Sequence, residues 1–241
     1  FEYEPVSRDN ERAGARLAFG RPYRTHLHLD KADVIVSFDS DFLMTHPAAV
    51  KYAGDFAARR RADDGTMNRL YVLENRPTVT GSMADHRYAV RSSQIRRALE
   101  HIASAVADKL GRGQDSPIPP PGGSTPLSPA EADAIAADLV AHQGRCVVIV
   151  GPQQPPEAHA AAHVLNTWLG APGQTVTFTG EPDADRPSHA ESIVKLTAQM
   201  SAGQISTLVI LGGNPVYNAP ADVRFADALA KVANSIHLST Y

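Results

Sequence analysis

The feature that most restricts the fold of this chain is an alternation, kept up along most of its length, between short apolar runs and segments with helical periodicity. "ADVIVSF" (Ala32–Phe38), "NRLYVLE" (Asn68–Glu74), "RCVVIVG" (Arg145–Gly151) and "ISTLVILGG" (Ile205–Gly213) are nearly unbroken apolar runs. The first of these suits a strand covered on both faces, and the others read as strands. Between and after them come periodic segments at 46–62, 93–111, 128–144, 155–170, 188–203 and 222–233. "QTVTFTG" (174–180) and "SIHLST" (235–240) add two further strand patterns. Strands alternating with helices of this length predict parallel sheets joined by right-handed crossovers. With 241 residues, 43% of them hydrophobic, the chain can bury a large core.

Local signals agree with this reading. Pro47 sits at a helix start, Ser128-Pro129-Ala130-Glu131 has the form of an N-cap and first turn, and Gly111 closes the 93–111 segment. The first 30 residues are mixed and polar and predict only loop or helix. Between Gly111 and Pro129 the composition changes to "GRGQDSPIPPPGGSTPLSP". That stretch cannot sustain a helix or a central strand and reads as an exposed linker. The sequence therefore predicts an α/β protein of two Rossmann-like lobes with mainly parallel sheets, residues 1–110 and 129–241, joined by a linker at 111–128.

Several function classes are disfavoured. A net charge of -3 with dispersed Lys and Arg gives no basic face for nucleic acid and no polybasic membrane patch. There is no run of about 18 apolar residues to insert in a bilayer. The single Cys146, in a strand pattern, can form no internal disulfide and no four-thiolate cluster, and reads as a small buried hydrophobe. No zinc spacing, nucleophile elbow or Walker loop is present. His159 and His163 are four apart on one helix without a third ligand and read as surface or cap residues. No catalytic residue and no metal ligand is assigned.

In parallel sheets ligands gather at the carboxyl ends of strands, which directs attention to Asp39–His46, Glu74–Asp85, Gly151–Pro155 and Gly212–Ala219. Gly212, Gly213 and Asn214 permit close approach of a ligand or another backbone, and a tight turn with an Asx cap accounts for them equally well. "VGPQQPP" lacks phosphate-loop spacing and reads as structural. Glu74 and Asp85 read as solvated loop carboxylates, with an acid/base pair as the alternative.

Taken in order, these loops resemble the molybdopterin oxidoreductase family. Its G-S-N-P, spacer, H-P pattern falls on Asp39-Ser40-Asp41-Phe42 and His46-Pro47. Its D-P-R-x-T-x-T-A-x-x-A-D falls on "ENRPTVTGSMAD", keeping Arg76, Thr78, Thr80, Ala84 and Asp85, and its later G-N-P segment on Gly213-Asn214-Pro215. The resemblance implies a site for molybdopterin guanine dinucleotide formed by Gly212, Gly213, Asn214, Arg76, Thr78 and Thr80. Two departures oppose this. A glycine beside the pyrophosphate has become Asp39, and the aspartate that reads guanine has become Ile95, which can neither donate nor accept. "DFLMTHPAAVKYAGDFAARRR", "MNRLYVLENRPTVTGSMADHR" and "LVILGGNPVYNAPADVRFADAL" are similar to the large iron–sulfur subunit of alternative complex III, a quinol:electron-acceptor oxidoreductase. That resemblance implies a region without its own cofactor and a neighbouring iron–sulfur region in a longer chain, of which these residues are a piece. It also implies partner subunits in a membrane-bound respiratory complex, on the periplasmic face of the bacterial inner membrane. A nucleotide-binding module standing alone is the remaining alternative.

Overall fold

The computed structural model describes residues 1–61, 63 and 66–239. Clustering of the backbone gives two compact units, Asn10–Ala184 and a smaller one of Phe1–Asp9 with Asp185–Tyr241.

The larger unit contains α1 (Asp9–Phe19), β1 (Tyr23–Leu27), β2 (Val34–Phe38), α2 (Ala49–Ala58), β3 (Arg60–Arg61), β4 (Thr66–Met67) and β5 (Arg69–Glu74). It continues with α3 (Val79–Ser82), β6 (His86–Ala89), α4 (Ser92–Lys109), α5 (Pro129–Ala141), β7 (Cys146–Val150), α6 (Pro156–Trp168) and β8 (Val176–Gly180). Its centre is a four-stranded parallel sheet in the order β6-β5-β2-β7. Every residue of β2 is buried, as the apolar run requires. Alternate side chains serve two cores. Val34, Val36, Phe38, Tyr71, Leu73 and Val148 pack with α4, α5 and α6, while Ile35, Leu70, Val72, Val147 and Ile149 pack with Phe42, Tyr52, Phe56 and Val176. The α/β class with a mainly parallel central sheet is as the sequence predicts. β1 and β8 pair antiparallel, and so do the two-residue strands β3 and β4.

The smaller unit holds α7 (His189–Ser201), β9 (Thr207–Leu211), α8 (Pro215–Asn218), α9 (Phe225–Leu229) and β10 (Asn234–Leu238). β9 and β10 form a two-stranded parallel sheet. Ile193, Leu196 and Met200 of α7 meet Phe225 and Ala228 in a small core. Ser188 caps α7 in a capping box with Glu191.

Three expectations need correction. The boundary at 111–128 does not divide the fold, because β7 pairs with β2 and so one sheet takes strands from both sides of it. That stretch is largely exposed, but Ile118 and Leu127 enter the core beside α4 and α5. Composition registered its prolines and glycines and not these two anchors. The helix expected over 46–62 spans Ala49–Ala58, and Arg60–Arg61 turns into β3; Ala62, like Thr240 of the last strand pattern, lies outside the described residues. Among the described residues no helix is long and apolar enough to cross a membrane.

Candidate functional site

The strand order places a switch point at the carboxyl ends of β2 and β7: the chain leaves β2 toward β5 and β6, then returns to add β7 on the opposite side. Crevices of this kind are where open α/β sheets bind ligands. Here the crevice is built from Asp39 after β2, the Gly151–Gln154 turn after β7, and Ser92 at the start of α4.

Asp39 has a φ of 57°, in the left-handed region that glycine adopts freely. A residue with a carboxylate thus holds a conformation that favours glycine. Asp39 is only 7% exposed. Gln154 donates through Nε2 to Asp39 Oδ2 at 2.8 Å and to Ser92 Oγ at 3.3 Å, and Gln153 Nε2 donates to the Asp39 carbonyl. Gly151 allows the backbones to meet, since a Cβ there would lie 1.9 Å from the Asp39 carbonyl oxygen. The polar groups at this switch point therefore bond one another.

The neighbouring loop after β5 is tied down similarly. The Glu74 carboxylate is buried, accepts from Thr78 Oγ1 at 2.6 Å and is paired with Arg87 of β6. Thr78 also caps α3, accepting from Gly81 N at 3.0 Å. Thr80 is fully buried; it donates through Oγ1 to Asp41 Oδ1 at 2.8 Å and accepts from Leu43 N at 3.1 Å, joining the two loops. Asp85 accepts from Leu70 N at 2.8 Å and pairs with Arg60. Glu74 and Asp85 are thus each matched by an arginine; the reading as solvated carboxylates is corrected for Glu74, which is buried, and holds for Asp85, which is exposed. Ile95 is wholly buried in the core on the α4 side.

Of the six residues that the resemblance singled out, Thr78 and Thr80 come together in this polar network and Arg76 is exposed on the same loop. Gly212, Gly213 and Asn214 lie in the smaller unit, after β9. Both glycines have positive φ, 69° and 48°, with open space around a hypothetical Cβ. Asn214 caps α8, accepting from Tyr217 N at 3.3 Å, and His237 Nε2 lies 2.7 Å from the Gly213 carbonyl oxygen. This loop is exposed and its turn-forming role is realised.

Sequence reasoning missed Gln153, Gln154 and Ser92. Gln154 lies 115 positions from Asp39, and no local pattern links them. The histidines also differ from expectation, since His159 and His163 are both buried. His163 packs against Phe19 and Phe178, and burial lowers its pKa to about 4, leaving it neutral. Cys146 is buried as expected, its thiol pushed up to about 12 mainly by desolvation. Among the described residues no group of three or more His, Cys, Asp or Glu is arranged to hold a metal ion.

The fold is α/β and molybdopterin-enzyme-like. Among solved structures the chain is similar to acetylene hydratase from Pelobacter acetylenicus, at 16% identity and a TM-score of 0.51. The match covers 78% of this chain and 28% of that enzyme, so the chain spans little more than a quarter of its length. No protein-family model and no curated protein matches the sequence.

Proposed function

We propose that this chain is a molybdopterin-oxidoreductase-like scaffold that holds no cofactor of its own and serves an iron–sulfur electron-transfer protein by packing against other protein surfaces. The observation that carries the reading is the switch point between β2 and β7. A dinucleotide pyrophosphate would need that space and the donors facing it, yet the Asp39 carboxylate is buried there and takes the Gln154 amide. A buried carboxylate repels a phosphate strongly at low effective dielectric. Ile95, sealed in the core, offers no edge to a guanine. The residues present do not fit the cofactor.

In its finer form the proposal takes the resemblance to the large iron–sulfur subunit of alternative complex III as its guide. The chain would stand beside the cluster-bearing region of the same polypeptide and other subunits of a quinol-oxidising complex on the periplasmic side of the inner membrane. The fold is compatible with this and does not specify it. The test is the molybdenum, pterin and iron content of the polypeptide carrying this chain, purified from its own host. Iron without molybdenum or pterin is the expected result; stoichiometric molybdenum and pterin would overturn the proposal.

A second reading, an active molybdopterin oxidoreductase fragment or nucleotide-binding module, is favoured by one observation: the Gly212-Gly213-Asn214 loop is open and exposed. Guanosine diphosphate titrated into the chain decides it. Saturable binding weakened by Gly213→Val supports a working site at that loop, and its absence removes the reading.

A further inference from the structure

The opposite, amino edge of the four-stranded sheet carries a different chemistry. Val34 lies in register with Arg69 on one side and Cys146 on the other, so Asp33, Arg69 and Arg145 come level across three adjacent strand starts. Main-chain bonds fix them there: Asp33 N donates to the Arg145 carbonyl at 2.6 Å and Arg69 N to the Asp33 carbonyl at 2.7 Å. Arg59, the C-cap of α2, and His142, the C-cap of α5, complete a pocket of about 400 Å³ together with Val34 and Met67. That volume falls within the ordinary range of small-ligand sites.

The pocket is rich in guanidinium donors and poor in acceptors. Asp33 accepts from Arg59 and is ion-paired with Arg145, and Arg69 pairs with Asp138, whose carboxylate also takes the Tyr71 hydroxyl at 2.9 Å. Each guanidinium has five N–H groups, so two carboxylates leave most of the donors of three arginines unmatched. Solvent serves the exposed ones. Arg69 and Arg145 are the exposed ones, and an anion in the pocket would replace that solvent.

We propose that this pocket binds a small dianion of the phosphate class, held by the forks of Arg59, Arg69 and Arg145. Planar guanidinium groups match tetrahedral oxyanions in paired hydrogen bonds, a geometry lysine cannot reproduce. The carboxyl ends of α2 and α5 bring fractional negative charge to the same edge. Selection therefore rests on donor geometry more than on net charge, and dissociation constants of roughly 0.1–1 mM are expected. The pocket is separate from the carboxyl-edge crevice, and the proposal stands whether or not the scaffold reading holds.

The test is calorimetric titration of inorganic phosphate and of pyrophosphate into the chain at constant ionic strength. Arg145→Gln and Arg145→Lys are compared with Lys231→Gln, which removes one charge in the smaller unit. Arg145 is 65% exposed and Asp33 keeps Arg59 without it, so the fold should tolerate its loss, which the melting temperature checks. One-to-one saturable binding, weakened at least tenfold by Arg145→Gln, by less in Arg145→Lys and not by Lys231→Gln, is expected. No saturable binding, or equal weakening by Arg145→Gln and Lys231→Gln, or indifference to Arg145→Gln, overturns the proposal.

Discussion

Two loops that each follow a parallel strand, the one after β2 and the one after β9, have met the same topological requirement in opposite ways. After β2 the left-handed position is an aspartate, its carboxylate is bound by Gln154, and Gly151 presses against its carbonyl. After β9 the left-handed positions are glycines, a Cβ on either would meet open space, and the loop faces solvent. The difference is whether the polar groups at the strand ends bond one another, as after β2, or stay open to solvent, as after β9.

The largest expected effect breaks the closed loop. Gly151→Ala would set a methyl 1.9 Å from the Asp39 carbonyl oxygen, a backbone atom with little room to yield. A loss of about 3 kcal/mol is expected in chemical denaturation; a loss below about 1 kcal/mol would mean that the β2 and β7 ends are not clamped.

The second contrast is between the sealed His163 and the exposed His237 beside the open loop. His163 has its folded-state pKa lowered to about 4 from 6.5 by burial. The unfolded chain therefore binds more protons than the folded one between those values, so the stability present above pH 6.5 is lost as pH falls through about 4. The loss reaches roughly 3 kcal/mol by that pH. The dependence of the denaturation midpoint on pH between 7 and 4 should flatten in His163→Met. A further variant, Arg87→Met, leaves the buried Glu74 carboxylate with only Thr78 to bond. About 2 kcal/mol should be lost, and recovered largely by adding Glu74→Gln.

The parts legible in the sequence were those written in local pattern. β2, β5, β7 and β9 follow from apolar runs, and the cap at Ser128 follows from the Ser-x-x-Glu spacing. What could not be read depended on partners distant in the chain. The domain division failed because the pairing of β7 with β2 joins segments on either side of a Pro/Gly-rich stretch. Thr78 and Thr80 were found through their resemblance to a cofactor loop, and their observed partners are Glu74 and Asp41. A glutamine pair after a strand carries no sequence mark, so Gln153 and Gln154 passed as ordinary loop residues. The amino-edge arginines were scattered in the chain, and only strand register aligns them.

The smallest effects provide the finest test of the contrast. At position 39, Asp39→Gly removes the hydrogen bond to Gln154, worth about 1 kcal/mol, but relieves a left-handed conformation of similar cost, so stability should change little. Asp39→Ala loses the bond and keeps the strain, and should be destabilised by about 1 kcal/mol relative to Asp39→Gly. At position 213 the Cβ of Gly213→Ala would meet no atom, so the cost is the left-handed backbone alone, again about 1 kcal/mol, and should not grow from alanine to serine. Size sensitivity at 213 would mean that something covers the loop in solution. Equal stability of the glycine and alanine variants at 39 would mean that the backbone there relaxes out of the left-handed region, and then the closed loop would owe its shape to the glutamines rather than to a fixed left-handed turn.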